Sequence, residues 1–558
     1  MWCRRPTRSR TFRSTNSIFR SMASMRTAAK FCDDISSSLH GSGPRARESG
    51  VTSNIRRDRL PQREENARSF LGSSLARHPR PAYVSHRCAD ARKEPPVADP
   101  AVTILFEGQP LACRPGQSVA AALWDHGVKV LSHSPKYGRP RGASCARGHC
   151  MGCLMRIDGV PNVRACHTPV HEGLRVARQD AGAAYGRPMQ SALSGTGHLL
   201  PVGFYYKWFT KPAALSKLFM RIIRPVTGIG RLPDEAAWRA APPPPRSRDL
   251  GRWDTVVVGG GAAGMAAALA AEGRTLLIDD AAHGGGQRRE ALDLAAAGDG
   301  DPLAGLHRLR RLRALLHERD ALVAAAPHVT RAPSTTVVGC YQPDMLLLRD
   351  AAGLSVARAD RIVWAAGALD QLGLFDDHDL PGILGPRALY RLAGRDGIDL
   401  RGRAVVVWGH GPDQWLCAAL LHARGARVVL ALDPTAAPDE NALATARRLG
   451  WQLRTGLRPL AALGRAGSLA ALRFDDGRNG TRPESACEIA VICGRGKPVY
   501  DGAYQLGADL VLDPLRGGYV PRAAGGRWDG RTPAGLNLTI AGEAAGATLA
   551  DLLEEVTA

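Results

Sequence analysis

Asp254-Thr255-Val256-Val257-Val258-Gly259-Gly260-Gly261-Ala262-Ala263-Gly264 joins a β-branched run to a G-x-G-x-x-G turn and an Ala-rich stretch. The first part reads as a strand and Met265 to Ala271 as the helix that follows it. The glycines of the turn, Gly259, Gly261 and Gly264, allow a tight turn, close approach of a pyrophosphate and close helix-to-strand packing. Alone, such a turn is weak evidence. Here Thr275-Leu276-Leu277-Ile278 reads as a second strand ending in Asp279, twenty residues after Gly259, where a carboxylate can bond a ribose hydroxyl. Gly284-Gly285-Gly286-Gln287 adds a flexible loop near the same ligand, with Gly286 and Gln287 as binding candidates. The competing reading is a Gly-rich turn with no ligand.

Two further stretches extend this unit. Leu538-Thr539-Ile540-Ala541-Gly542-Glu543 reads as a strand running into an acid, with a helix opening at Ala544. There Gly542 and Glu543 are placed to meet a flavin ribityl chain, unless Glu543 is only a charge at a helix start. Arg361 to Ala368 reads as a strand ending in small residues, at the crossing between two nucleotide folds, with Gly367 at the cofactor. Ala404-Val405-Val406-Val407-Trp408-Gly409-His410-Gly411-Pro412-Asp413 repeats the strand and Gly-rich turn, with Gly409 and Gly411 as candidates and Gln414 where a third glycine is expected. The strand Arg427 to Leu432 ends at Asp433, which suits a ribose 2′-hydroxyl. This second fold either binds NAD or stands empty.

Upstream, four cysteines fall at C-x4-C-x2-C-x12-C: Cys145, Cys150, Cys153 and Cys166. This is the plant-type [2Fe-2S] spacing, three thiolates on one loop and a fourth further on. Gly142, Gly148 and Gly152 let backbone N–H groups turn toward sulfur. A tetrahedral zinc site competes, but its usual signature is two short cysteine pairs. His149 and His167 adjoin ligands without the pairing that a Rieske centre needs, and read as exposed bystanders.

Composition bounds the rest. The 558 residues carry a formal charge of +22, about half of it in the first hundred residues, and arginine outnumbers lysine about eight to one. That bias reads as codon usage, so no nucleic-acid partner is expected. No apolar run of membrane length stands outside the Gly/Ala-rich stretch after Thr255. Residues 1–98 have no hydrophobic period and read as a disordered or early-started basic extension. The cytoplasm is the expected location, mitochondria only if that extension is a presequence. The remaining boundaries are a small α+β cluster domain at 99–182, a linker at 183–250 with the stiff Pro242 to Pro245 spacer, a first nucleotide domain at 251–380, an inserted NAD-binding-like domain at 381–495 and the return of the first domain at 496–558. The class is α/β.

This order of parts resembles the alpha-type subunit of heteromeric amine-oxidising flavoenzymes, among them sarcosine oxidase, opine oxidase, hydrogen cyanide synthase and dye-linked proline or hydroxyproline dehydrogenases. The residues that carry the resemblance are the cluster loop with Pro161 to Pro169, then Leu200-Pro201-Val202-Gly203-Phe204-Tyr205-Tyr206-Lys207, Leu380-Pro381-Gly382-Ile383 and Ala541-Gly542-Glu543. The resemblance spans about residues 100 to 550. It implies a ferredoxin-like domain fused to a Rossmann-type, disulfide-reductase-like flavoprotein fold. It also implies FAD, with NAD or ATP as alternatives, FMN at a subunit interface, and a hetero-oligomer with an FAD-containing amine-oxidase-like beta subunit. Unlike some sarcosine oxidase alpha chains, this one has all four cluster cysteines. It stops soon after Glu543, without the folate-binding domain of sarcosine oxidase or the C-terminal cysteine-rich segment of the other branch, which puts folate use outside the expectation. His378, His410 and Asp413 are catalytic candidates by type only and read better as loop or cap residues. The function expected is electron relay beside a partner that oxidises the amine. The alternatives are a self-contained NAD(P)H-dependent reductase and a nucleotide-binding scaffold.

Overall fold

The structure is a computed structural model that describes residues 101–134, 139–179, 213–226, 247–342, 344–432, 440–477, 482–514, 518–522, 527–532, 535–549 and 551. The chain divides into two compact units, residues 1–90 and 91–558, and every described residue belongs to the second. The basic extension, the aromatic Leu200 to Lys207 segment, the Pro242 to Pro245 spacer and Asp433 lie outside the described residues.

The first sheet has five strands in the order Gln109–Cys113, Val102–Phe106, Arg175–Arg178, Leu154–Ile157, Val160–Arg164. Alternation sends Ile104 and Phe106 inward, as a half-buried strand requires. The helix Val119–Asp125 begins at Ser118, whose hydroxyl accepts from the Ala121 amide at 3.3 Å. All of Val119 to Trp124 is buried. The reason is that this helix has two partners. Val119, Ala120, Ala122 and Leu123 join the core of the small sheet, whereas Ala121 and Trp124 join the core that holds Leu389 and Leu392. A helix apolar on every side is buried on every side, and here it joins the two cores.

The second sheet is centred on Arg248–Val258, flanked in parallel by Thr275–Ile278 and Gly353–Trp364, with Asn537–Ala541 parallel beyond the latter. Thr275 to Ile278 is buried at every position, as expected for a strand covered on both faces. The third sheet runs Ile383–Leu384, Ile489–Cys493, Ala404–Gly409, Arg427–Leu432, Gln452–Arg454, all parallel. Each Gly-rich turn sits at the carboxyl end of its central strand, where open parallel sheets hold ligands. One expectation is corrected. The helix predicted to open at Ala544 is a single 3-10 turn, Gly542–Ala545, which Gly546 ends at φ 97°.

Candidate functional site

The cluster loop leaves the short strand Pro140–Arg141 and re-enters the sheet at Leu154, and Cys166 is supplied by the 3-10 turn Ala165–His167. Its tight path depends on Gly152, where an added Cβ would overlap the Gly142 carbonyl oxygen. Within the loop the Arg147 and Cys150 amides donate to Cys145 Sγ at 3.4 and 3.3 Å. The four thiols stand as two pairs, Cys145 hydrogen-bonded with Cys150 and Cys153 with Cys166. The bond from Cys150 draws Cys145 down to about 4 against the effect of burial, while Cys150 is pushed up. Cys153 is likewise lowered by Cys166, which is itself raised. Among the described residues no three His, Cys, Asp or Glu side chains close on one point, as a single tetrahedral ion would require. Two adjacent thiol pairs fit a binuclear group, two thiolates to each iron.

The loop also forms part of a cavity of about 400 Å³. Of the predicted cofactor residues, the cavity brings together Gly259, Gly261, Asp279, Gly286, Gln287, Gly367 and Glu543, with Arg147 and His149 of the cluster loop on its wall. Gly261 has open space where a Cβ would stand, whereas a Cβ at Gly264 would overlap the Gly259 carbonyl oxygen. One glycine therefore serves ligand approach and the other helix packing. Asp279 accepts from the Gly260 amide and, at 2.7 Å, from the Ala281 amide. Burial, helped by the neighbouring Asp280 charge, raises its carboxyl to about 6 despite those amides and Arg147. The buried Gln287 Oε1 has no partner in the protein, so a donor on a ligand would satisfy it.

Glu543 is engaged differently from the expectation. Its oxygens accept from Arg288 at 2.9 and 3.0 Å and from Arg387. Arg288 also makes a two-point bond to Asp413, 2.8 Å at each oxygen, and Asp413 accepts from the Tyr390 hydroxyl at 2.8 Å. Arg387 pairs in turn with Asp370 at 3.2 Å. Burial pushes the Asp413 carboxyl up, but Arg288 outweighs it and, with Arg387 and Tyr390, holds it well below the carboxylate range. Asp413 lies in the first turn of the helix Pro412–Ala423. The anion-attracting start of the second nucleotide fold thus already faces a carboxylate and its guanidinium. Gln414, in place of the third glycine, is buried and donates to the Val407 and Ala431 carbonyls at 3.4 and 3.2 Å. Gly409, Gly411 and His410 do not line the cavity, nor do Gly264 and Gly542. His378 bonds the Phe375 carbonyl at 3.1 Å in a loop.

The residues that sequence reasoning missed are arginines: Arg147, Arg288 and the series Arg387, Arg391, Arg395. The four-residue spacing of the last three was a legible sign of one helical face. They lie on the helix Pro386–Leu389 and the π-turn Tyr390–Arg395 that continues it.

A 2Fe-2S iron-sulfur cluster binding domain family matches residues 99–181. Hydrogen cyanide synthase subunit HcnA of Pseudomonas aeruginosa is 40% identical over 81 residues, 14% of this chain and 77% of that protein. Sarcosine oxidase subunit alpha of Rhizobium meliloti is 27% identical over 360 residues, 61% of this chain and 35% of that protein. The chain thus joins a [2Fe-2S] domain of the family that matches residues 99–181 to a larger part that is similar to sarcosine oxidase subunit alpha. It spans about a third of the length of the curated sarcosine oxidase subunit that it matches. In fold it is similar to L-proline dehydrogenase from P. horikoshii, with a TM-score of 0.50 and 18% identity over 81% of this chain and 70% of that chain. The chain therefore has the Rossmann-type architecture of flavoprotein oxidoreductases joined to a [2Fe-2S] domain. No described helix is long and apolar enough to cross a membrane.

Proposed function

We propose that the chain is the electron-relaying subunit of a heteromeric flavin-dependent amine or amino-acid oxidase or dehydrogenase. In this reading FAD, ahead of NAD or ATP, occupies the Gly259 to Gly264 turn, with Asp279 accepting from its ribose. Cys145, Cys150, Cys153 and Cys166 hold the [2Fe-2S] group, which passes single electrons, and a beta-type flavoprotein partner carries out the two-electron oxidation of the C–N bond. The observation that carries the reading is the shared wall. Arg147 and His149 of the cluster loop line the same cavity as the Gly259 turn, so a redox group bound there is a direct neighbour of the cluster. What this chain supplies is placement: a carboxylate for ribose, an open approach at Gly261, and a cluster loop locked against the cavity. Asp370, Asp413 and Glu543 are paired with Arg288 or Arg387, which makes these three poor general bases. The Asp413–Arg288 pair at the second Gly-rich turn supports an empty second fold.

The test is to purify the chain alone and assay it with sarcosine, proline, hydroxyproline and opines using an artificial electron acceptor. No turnover is expected without a partner. Turnover at an enzyme-like rate would move the chemical step onto this polypeptide.

A further inference from the structure

Arg391 belongs to the nucleotide-binding part of the chain, yet its guanidinium reaches the cluster domain. Its Nη2 lies 3.5 Å from the Cys166 carbonyl oxygen, across 225 residues of sequence. Its Nε is buried with no partner in the protein. Arg391 also lines the nucleotide cavity, between Tyr390 and Arg395. Around it the charge is mostly of its own sign, with Arg395 and Arg147 opposed by Asp396, whose carboxylate is already bonded by Ser118 at 2.6 Å. Arg147 lines the cavity from the cluster side with its own Nε buried and unpartnered, while its Nη2 pairs with Asp280 at 3.4 Å. A half-buried guanidinium short of counter-charge, as that of Arg391 is, is costly unless an anion stands nearby. Four thiolates on a two-iron group provide one, and its negative charge grows by one when it is reduced.

We propose that Arg391 is a positioning residue shared by the two cofactor sites. Its charge stabilises the reduced cluster across the domain boundary and so raises the reduction potential, which net charge and hydrogen bonding around a cluster set. Because the same guanidinium borders the nucleotide cavity, an anionic nucleotide bound there offsets part of its charge and lowers the potential. The two sites are thereby linked through one side chain. This inference rests on the [2Fe-2S] reading of the four cysteines.

The test is an EPR-monitored redox titration of the full chain as wild type, Arg391→Gln and Arg391→Lys, each with and without ADP as the anionic probe. Iron content and the signal of the reduced cluster are expected in all three. At a fixed potential the reduced-to-oxidised ratio of Arg391→Gln should fall about tenfold, a shift of about 59 mV for one electron. Arg391→Lys should keep most of the wild-type value. ADP should lower the midpoint of the wild type and leave that of Arg391→Gln unchanged. An Arg391→Gln midpoint equal to that of the wild type, with the cluster intact, would overturn the proposal. So would an ADP shift that persists in Arg391→Gln, or one absent from the wild type. If Arg391→Gln does not hold its cluster, Arg391→Lys carries the test, and a midpoint lowered as far as tenfold there would count against the role of charge. Absence of any [2Fe-2S] signal in the wild type would instead refute the cluster reading itself.

Discussion

At Gly261 the backbone borders open space, with no heavy atom within 4 Å of the position a Cβ would take. Gly261→Val can therefore fold, and its isopropyl group would occupy room that a pyrophosphate needs. The variant should purify in normal yield with its nucleotide or flavin content reduced at least about tenfold, a loss of about 1.4 kcal/mol or more in binding. Quantifying FAD, NAD and ATP released by denaturation checks this, and an undiminished content would refute the placement. Asp279 gives a second residue-level test. Among the protein's own groups its carboxyl is raised to about 6 from an ordinary 3.8. Its contribution to folding stability is thus full below the unfolded value and is lost as pH rises through the folded one. A ribose donor acts with the opposite sign, because it favours the ionised carboxylate. The charged groups that face Asp279 are Asp280, which disfavours its ionised form, and Arg147, which favours it. Nucleotide affinity should rise between about pH 5 and 7, and Asp279→Asn should flatten that rise in a binding titration.

Among the elements, the helical stretch Pro386 to Arg395 organises the site. Arg387 faces Asp370 and Glu543, Tyr390 faces Asp413, and Arg391 faces the Cys166 carbonyl. A π-turn is a common mark of a functional segment, since it re-aims side chains that a regular helix would space evenly. Arg288 completes the network from the 3-10 turn Gly286–Arg288. It is the shared partner of Asp413 and Glu543, with side-chain exposures of 10% for Arg288 and 17% and 12% for the acids. Removing it leaves Asp413 with only the Tyr390 hydroxyl and Glu543 with only Arg387 in a low-dielectric seam. Arg288→Met should lower stability by about 3 to 5 kcal/mol in denaturant melting. A change under about 1 kcal/mol would show that water reaches the acids and that the seam is looser than described.

Across the whole molecule, the small cluster domain is held against the larger part by buried and half-buried contacts. The Ser118 hydroxyl bonds Asp396 at 2.6 Å, Asp125 accepts from the Asp399 amide at 2.8 Å, and Arg114 donates to the Gly397 carbonyl at 2.6 Å. Lys129 pairs with Glu488 at 3.3 Å. None of this was legible beforehand. A periodic pattern reports which face of an element is apolar, not which distant element covers it, and a short helix such as Val119–Asp125 can serve two cores at once. The strands Thr275–Ile278 and Arg427–Leu432 were legible to the residue, because β-branched runs and turn residues are local signals. The cysteine spacing and the Gly259 turn were legible for the same reason, since each has its chemistry within a few residues. The arginine network was not, because its members gather from five separate places in the chain, and an isolated arginine reads as a surface charge. Glu543 shows the limit clearly. Its position at the end of a strand was read correctly, while its partners, Arg288 and Arg387, are 255 and 156 residues away.

The proposed relay fills the cluster through the adjoining cavity with electrons from a partner's amine oxidation. Anaerobic reduction of the purified chain, followed by the visible absorbance and EPR signal of the cluster, tests it most directly. NADH alone and amine alone should leave the cluster oxidised. Amine together with a co-purified FAD-containing beta-type subunit should reduce it, one electron per chain. Rapid bleaching by NADH without any partner would contradict the account and would make the chain a self-contained reductase.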